Sequence, residues 1–140
     1  MKLSFLPVAV LSLLVFSFDA FGCSCSRNVD AKKLYSQSDK IVIGKVVKLQ
    51  LFTDERGVEY QEVTLSNSEV IKGSLPNVFN AYLNGSSCSG NSFSIGREHI
   101  VFLYSDDWTT GYCGGTSQIH SYIEVQNQLI DSLRKEAAKE

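Results

Sequence analysis

Ile41-Val42-Ile43-Gly44-Lys45-Val46-Val47-Lys48-Leu49-Gln50-Leu51-Phe52 opens as a nearly unbroken β-branched run and then alternates between apolar and polar residues. A strand reads this way when both faces are covered at one end and one face at the other. Thr53-Asp54-Glu55-Arg56-Gly57 is a turn, rich in residues that bond their own backbone or accept a positive φ. Beyond it, Val58 to Lys72 carries Tyr60, Val63, Leu65, Val70 and Ile71 as an antiparallel partner. The alternation falters at Ser66-Asn67-Ser68, where a kink is expected. Gly73 to Asn77, with Pro76, closes the pair.

Three shorter strands follow toward the C-terminus: Val78 to Leu83, Ile95-Gly96 through Tyr104, and a stretch around Tyr112 to Ile119. Asn84-Gly85-Ser86, Ser89-Gly90-Asn91, Asp106-Asp107 and Thr110-Gly111 separate them. Five antiparallel strands in about 80 residues predict a mainly β protein built on a small closed barrel. The period then changes. Ser121-x-x-Glu124 is a capping-box signature, and Tyr122, Val125, Leu129 and Leu133, with Ile130, recur at three and four. A terminal helix from about Tyr122 to Ala138, packed by one face on the barrel, is expected. A shorter helix is expected over Val29 to Gln37, started by Asn28 or Asp30 and turning Leu34 and Tyr35 inward.

The N-terminal end reads differently. Met1-Lys2 gives a short positive start, Leu3 to Phe18 is almost wholly apolar, and Ala20-Phe21-Gly22 puts small residues three places and one place before Cys23. That is a secretory signal peptide over 1–22, leaving a single domain over 23–140 that is secreted, extracellular or periplasmic. Ala20-Phe21-Gly22-Cys23 also crudely resembles a lipobox, so a lipid-anchored surface form is the less favoured alternative. No later stretch is long and apolar enough to be a transmembrane segment. The chain has 140 residues, with 13 Lys and Arg against 15 Asp and Glu. No basic stripe offers a footprint for nucleic acid. A monomer is expected.

Enzymatic chemistry finds no support. His99 and His120 are the two histidines, and their spacing is not that of a helical zinc site. There is no glycine-rich phosphate loop, no G-x-S-x-G and no internal repeat. No cofactor is expected. Trp108, beside Asp106-Asp107, reads either as a loop anchor or as an exposed contact aromatic. Asn84-Gly85-Ser86 matches a glycosylation sequon, but Asn-Gly is equally a tight turn.

The four cysteines, Cys23, Cys25, Cys88 and Cys113, all follow the predicted cleavage point. An even number in an exported chain implies two disulfides. Cys23 and Cys25 are too constrained to pair with each other, so each must reach Cys88 or Cys113, and spacing does not choose between the two arrangements. Closing the roughly 65 residues from Cys23 to Cys88 would stabilise the fold by about 4 kcal/mol. Stability leaves one thing unexplained, which is why the first mature residue carries a bridge. Termini ordinarily fray. Here the bridges would hold Cys23-Ser24-Cys25-Ser26 as a rigid ridge presenting a free α-amine and the Cys23 carbonyl.

A mature start of Cys23-Ser24-Cys25-Ser26, a short helix and then Asp39-Lys40-Ile41-Val42-Ile43-Gly44-Lys45-Val46-Val47 resembles the inhibitory domain of the tissue inhibitors of metalloproteinases, within the netrin-like group. Ile95-Gly96-Arg97-Glu98-His99-Ile100-Val101-Phe102 and Cys113-Gly114-Gly115-Thr116 are similar to further stretches of that domain. The resemblance implies a five-stranded OB-type barrel with flanking helices, and a pairing of Cys23 with Cys88 and Cys25 with Cys113. It also implies a mechanism. The Cys23 α-amine and carbonyl oxygen would chelate the catalytic zinc of an extracellular zinc metalloprotease, at the position its water vacates. Ser24 would enter the neighbouring specificity pocket, Cys25 would lock the ridge, and Ser26 would continue it along the cleft. Zinc enters only as part of the target. The chain is a minimal member by this comparison, because Leu34-Tyr35-Ser36-Gln37 lacks the helix cysteine of a third disulfide and no cysteine-rich C-terminal subdomain follows. The alternative is a netrin-like binding or adhesion module whose barrel surface recognises another extracellular ligand.

Overall fold

The computed structural model describes residues 30–76, 78–83, 91–109 and 114–140. Helix α1 (Ala31–Gln37) starts at Asp30, whose carboxylate accepts from the backbone N–H of Lys32 at 2.9 Å and of Lys33 at 3.4 Å, satisfying donors that a first helical turn leaves open. It stops at Ser38, whose hydroxyl donates back to the Leu34 carbonyl at 2.7 Å. Leu34 and Tyr35 are its buried residues, as their spacing predicted.

Two long strands, β1 (Lys40–Thr53) and β2 (Glu59–Lys72), form an antiparallel hairpin. Its turn is organised by Asp54. That carboxylate accepts from the N–H groups of Arg56 at 2.8 Å and Val58 at 2.9 Å, and from the Arg56 guanidinium, while Gly57 takes φ +80°. These bonds hold the Asp54 carboxyl below the usual aspartate value. From Lys40 to Lys45, β1 also pairs with β4 (Glu98–Tyr104), and there its side chains alternate between two buried apolar clusters, so its first half is covered on both faces and its second half emerges. Three register shifts in the β1–β2 ladder bend the hairpin. One falls opposite Ser66 to Glu69, where Asn67 has φ 49°, the place at which the sequence alternation falters.

The remaining strands are β3 (Phe79–Tyr82), β5 (Trp108–Thr109) and β6 (Ser117–Gln118). The order β1-β2-β3-β5-β4 closes on itself through the β1–β4 ladder, giving an OB-fold-like five-stranded barrel. Two expectations need correction. The barrel is mixed rather than wholly antiparallel, because β3 and β5 run parallel through the pair Asn80 and Trp108. A ring with an odd number of strands cannot alternate direction all the way round, so one neighbouring pair must be parallel. The fifth barrel strand also comes earlier than expected: β5 lies at Trp108–Thr109, ahead of the stretch around Tyr112 to Ile119, of which residues 112 and 113 lie outside the described residues and Ser117–Gln118 forms β6. The edge of β4 is lined in two parts, by β5 at Leu103 and Tyr104 and by β6 at His99 and Ile100. Between them the Thr116 hydroxyl accepts from the Phe102 N–H at 2.9 Å, a side chain standing in for a missing strand neighbour.

Residues of alternating parity feed two apolar layers. Val42, Val46, Val63, Phe79, Ala81, Phe93, Val101 and Leu103 fill the barrel interior. Ile41, Ile43, Ile71, Ile100 and Phe102 point the other way and pack beneath Leu34, Tyr35, Ile130 and Leu133 of the helices. Helix α2 (Glu124–Ala137) supplies the last two. It is tied to β2 by Arg134, whose Nε and terminal nitrogen each meet a different Glu69 carboxylate oxygen at 2.8 Å. The expected capping box does not form. Ile123 is the N-cap, with no side-chain bond, and Ser121 is used in the preceding turn, where its carbonyl accepts from Asn127 at 3.1 Å. Gln126 anchors this end instead, accepting from the His120 N–H and donating to the Gln118 carbonyl, both at 2.8 Å. Tyr122 and Val125, read from their spacing as facing the barrel, are 81% and 69% exposed. No helix among the described residues is long and apolar enough to cross a membrane.

Candidate functional site

The signal segment 1–22, the ridge Cys23, Ser24, Cys25 and Ser26, and both proposed partners Cys88 and Cys113 lie outside the described residues. Two contacts involve described residues near them in sequence. Asn91, three residues after Cys88, donates from its buried side-chain amide to the Thr109 hydroxyl at 3.0 Å, and Thr109 precedes the stretch that holds Cys113. On the far side of Cys113, Gly115 takes φ +89°, and a Cβ there would lie 2.9 Å from the Phe102 ring and 3.1 Å from Leu34. Only a glycine lets this segment pass so close to α1.

His99 sits inside the barrel, 1% exposed, opposite Gly44 in the β1–β4 register. The Phe93 ring lies against it at 5.0 Å between centroids. Its Nδ1 is 3.3 Å from the Arg97 carbonyl, while Nε2 has no hydrogen-bond partner among the described residues. Burial pushes the imidazole below its ordinary value, against the pull of the Arg97 and Ser92 carbonyls. His120 is near the surface, its ring 5.4 Å from that of Tyr122. Among the described residues no group of three or more His, Cys, Asp or Glu side chains converges as a metal site requires.

A second arrangement escaped the sequence reading. Phe52 stacks on Tyr60 at 5.6 Å, Tyr60 leans on Trp108 at 5.3 Å, and Trp108 stacks on Tyr82 at 4.4 Å. These rings come from β1, β2, β5 and β3 and lie on the outer barrel wall. Phe52 and Tyr60 are paired across the hairpin, as are Tyr60 and Tyr82 across β2 and β3. The Arg56 guanidinium donates to the Tyr82 hydroxyl at 3.1 Å. Trp108 thus both anchors its loop and takes part in a wider aromatic surface. The signal that could have found this surface is cross-strand register, which counted outward from the Asp54 turn pairs residues 52 and 60 and, across the next ladder, residues 60 and 82.

Neither the protein-family models nor the curated proteins compared with this chain give a match.

Proposed function

We propose that the protein is an exported inhibitor of zinc metalloproteases, acting through an N-terminal ridge that begins at Cys23. The observation that carries the reading is the closed OB-fold-like barrel preceded by a short capped helix, the architecture that the resemblance of Cys23-Ser24-Cys25-Ser26 and the Ile41 strand implies. The close passage of Gly115, two residues after Cys113 in sequence, against Leu34 of the first helix is compatible with this reading.

The chemistry needs little beyond rigidity. A catalytic zinc holds three protein ligands and an exchangeable water. A neutral α-amine and the carbonyl oxygen of the same residue form a chelate that displaces the water and leaves no nucleophile. Bridges at Cys23 and Cys25 would order the ridge before binding, so less conformational entropy opposes association. Ser24 would fill the adjoining pocket and Ser26 would extend the contact.

The test compares the oxidised domain starting at Cys23 with the same domain carrying one additional N-terminal alanine, against a panel of extracellular zinc proteases. The extension removes the chelating amine and leaves the barrel untouched. Inhibition by the first and its loss in the second is the expected result. Equal inactivity of two correctly oxidised samples overturns the proposal.

A further inference from the structure

Strand β1 has an open edge over its second half. The β4 ladder on that side ends at Lys45. The last backbone bonds to it run from the Val46 N–H to the Arg97 carbonyl at 2.9 Å and from the Gly96 N–H to the Val46 carbonyl at 2.7 Å. Beyond them β1 pairs only with β2 among the described residues, in unbroken register from Lys48 to Thr53. The Asp54 N–H donates to the Val58 carbonyl, so Asp54 faces β2. Direction alternates along a strand, which turns Phe52, Gln50 and Lys48 toward β2 and leaves the N–H and C=O groups of Leu49, Leu51 and Thr53 pointing away from it. On β2 the Glu59 carbonyl accepts from Leu83 and so faces β3, as the same alternation requires. Among the described residues nothing bonds the three outward pairs. Leu49-Gln50-Leu51-Phe52-Thr53 also has no charge, proline or bulge, the devices that stop an edge from recruiting another strand. Apolar side chains flank it, with Val47 47% and Leu51 60% exposed.

The edge is complementary to itself. A two-fold contact must satisfy the same patch on both copies, and antiparallel pairing centred on Leu51 does so. It sets Leu51 opposite Leu51, and Leu49 opposite Thr53 at each end, so every outward N–H and C=O of the three residues gains a partner. A slip by one residue would oppose outward groups with inward ones and form no bonds. Side chains agree with this register. The exposed Leu51 meets its own copy, Gln50 faces Phe52, and Lys48, which makes no ion pair among the described residues, stands opposite Asp54. No like charges are opposed. We infer that two copies of the protein join edge to edge through residues 48–54 of β1, forming a two-fold dimer whose sheet runs continuously from one hairpin into the other. The contact is short, so association is weak and reversible, and the monomer expected from the sequence is its dilute form. The N-terminal ridge takes no part in it.

Sedimentation of the oxidised protein over about 1–500 μM, the range a small interface reaches, should show a concentration-dependent shift from one chain to two. Amide exchange read at both ends of that range should slow with concentration at Leu49, Leu51 and Thr53, and stay constant at Gln50 and Phe52, which are bonded to β2 throughout. Leu51→Pro is tolerated at an edge position whose N–H faces outward. The two-fold axis removes two bonds at once, so association should weaken by about thirtyfold. Leu51→Lys and Leu51→Glu each oppose like charges on the axis and should stay monomeric alone, with unchanged circular dichroism, yet associate when mixed. A monomer at every concentration overturns the inference, as does undiminished dimerisation by the Lys and Glu variants, or concentration-dependent protection confined to other segments. Protection of Leu49 and Leu51 that arises only when a zinc protease is added would give the edge to that partner and overturn self-pairing. All variants keep the N-terminus intact, so the protease assay stands or fails independently.

Discussion

Gly44 and Ser68 leave no room between them: a Cβ on Gly44 would lie 2.5 Å from the Ser68 hydroxyl and 3.1 Å from the Leu65 Cβ. The Ser68 hydroxyl is itself buried without a partner among the described residues. The absence of a side chain at 44 is what lets β1 bend through its register shift there. Gly44→Ala should therefore cost about 1–3 kcal/mol through overpacking. Ser68→Ala, which removes an unbonded buried hydroxyl, should be neutral or slightly stabilising. In the double variant the two effects should fail to add, because removing the hydroxyl relieves the nearest clash. Urea unfolding of all four proteins measures this, and strict additivity would show that the contact is not the source of the cost.

Gly115→Ala should be the more damaging glycine substitution. It meets a left-handed φ of +89° and a Phe102 ring 2.9 Å away, and Phe102 is fully buried, so neither strain is easily relaxed. The expected loss is about 2–4 kcal/mol from the conformational and packing terms together. A melting temperature within a degree of the parent would mean that the segment moves freely off the core.

His99 makes stability depend on pH just below neutrality. Its folded value lies below the ordinary 6.5 because burial disfavours the imidazolium. As pH falls through 6.5 the unfolded chain takes up a proton that the folded chain refuses, so stability is complete above that value and declines toward the depressed folded one. The Glu69 carboxylate, lowered by its bonds to Arg134, acts later. Its contribution is present above the ordinary 4.5 and fades as pH drops below. Denaturant midpoints at pH 7.5, 6.5 and 5.5 should decrease for the parent and change little for His99→Gln. Parallel decreases in both would assign the effect elsewhere.

Much of the fold was legible because its signals are local. The run from Ile41 to Gly44 announced burial on both faces, Asp54 to Gly57 a turn, and Asp30 a helix start, and each depends on residues close in sequence. The places where reading failed are settled by distant partners. Nothing local to Tyr112 or Ile119 states that β4 will be lined by Trp108 at one end and Gln118 at the other. Ser121 has the pattern of a cap, yet the chain from His120 to Ile123 closes its own turn and Gln126 takes over the capping bonds. Tyr122 and Val125 fit a helical stripe, but α2 meets the barrel further along, at Ile130 and Leu133. The aromatic wall was hidden for the same reason, since four rings from four strands share no sequence neighbourhood.

Closure of the barrel rests on few backbone bonds at one seam, and there the ring of Trp108 does what a ladder does elsewhere. Among the described residues Asn80 and Trp108 are the one paired position joining β3 to β5, against a long register between β1 and β2. The Tyr82 ring lies on Trp108 at 4.4 Å and 22°, and the Thr109 hydroxyl adds a 3.4 Å bond to the Asn80 carbonyl. Trp108→Ala should thus cost about 3 kcal/mol, and its effect should be concentrated at the seam. Amide exchange at Asn80, Leu103 and Thr109 should accelerate more than exchange at Val42 or Val63, which lie in the two long strands. Trp108→Phe keeps an aromatic face for Tyr82 and should retain most of the protection. Uniform acceleration across all strands in Trp108→Ala would mean that the barrel opens only by global unfolding and has no weak seam.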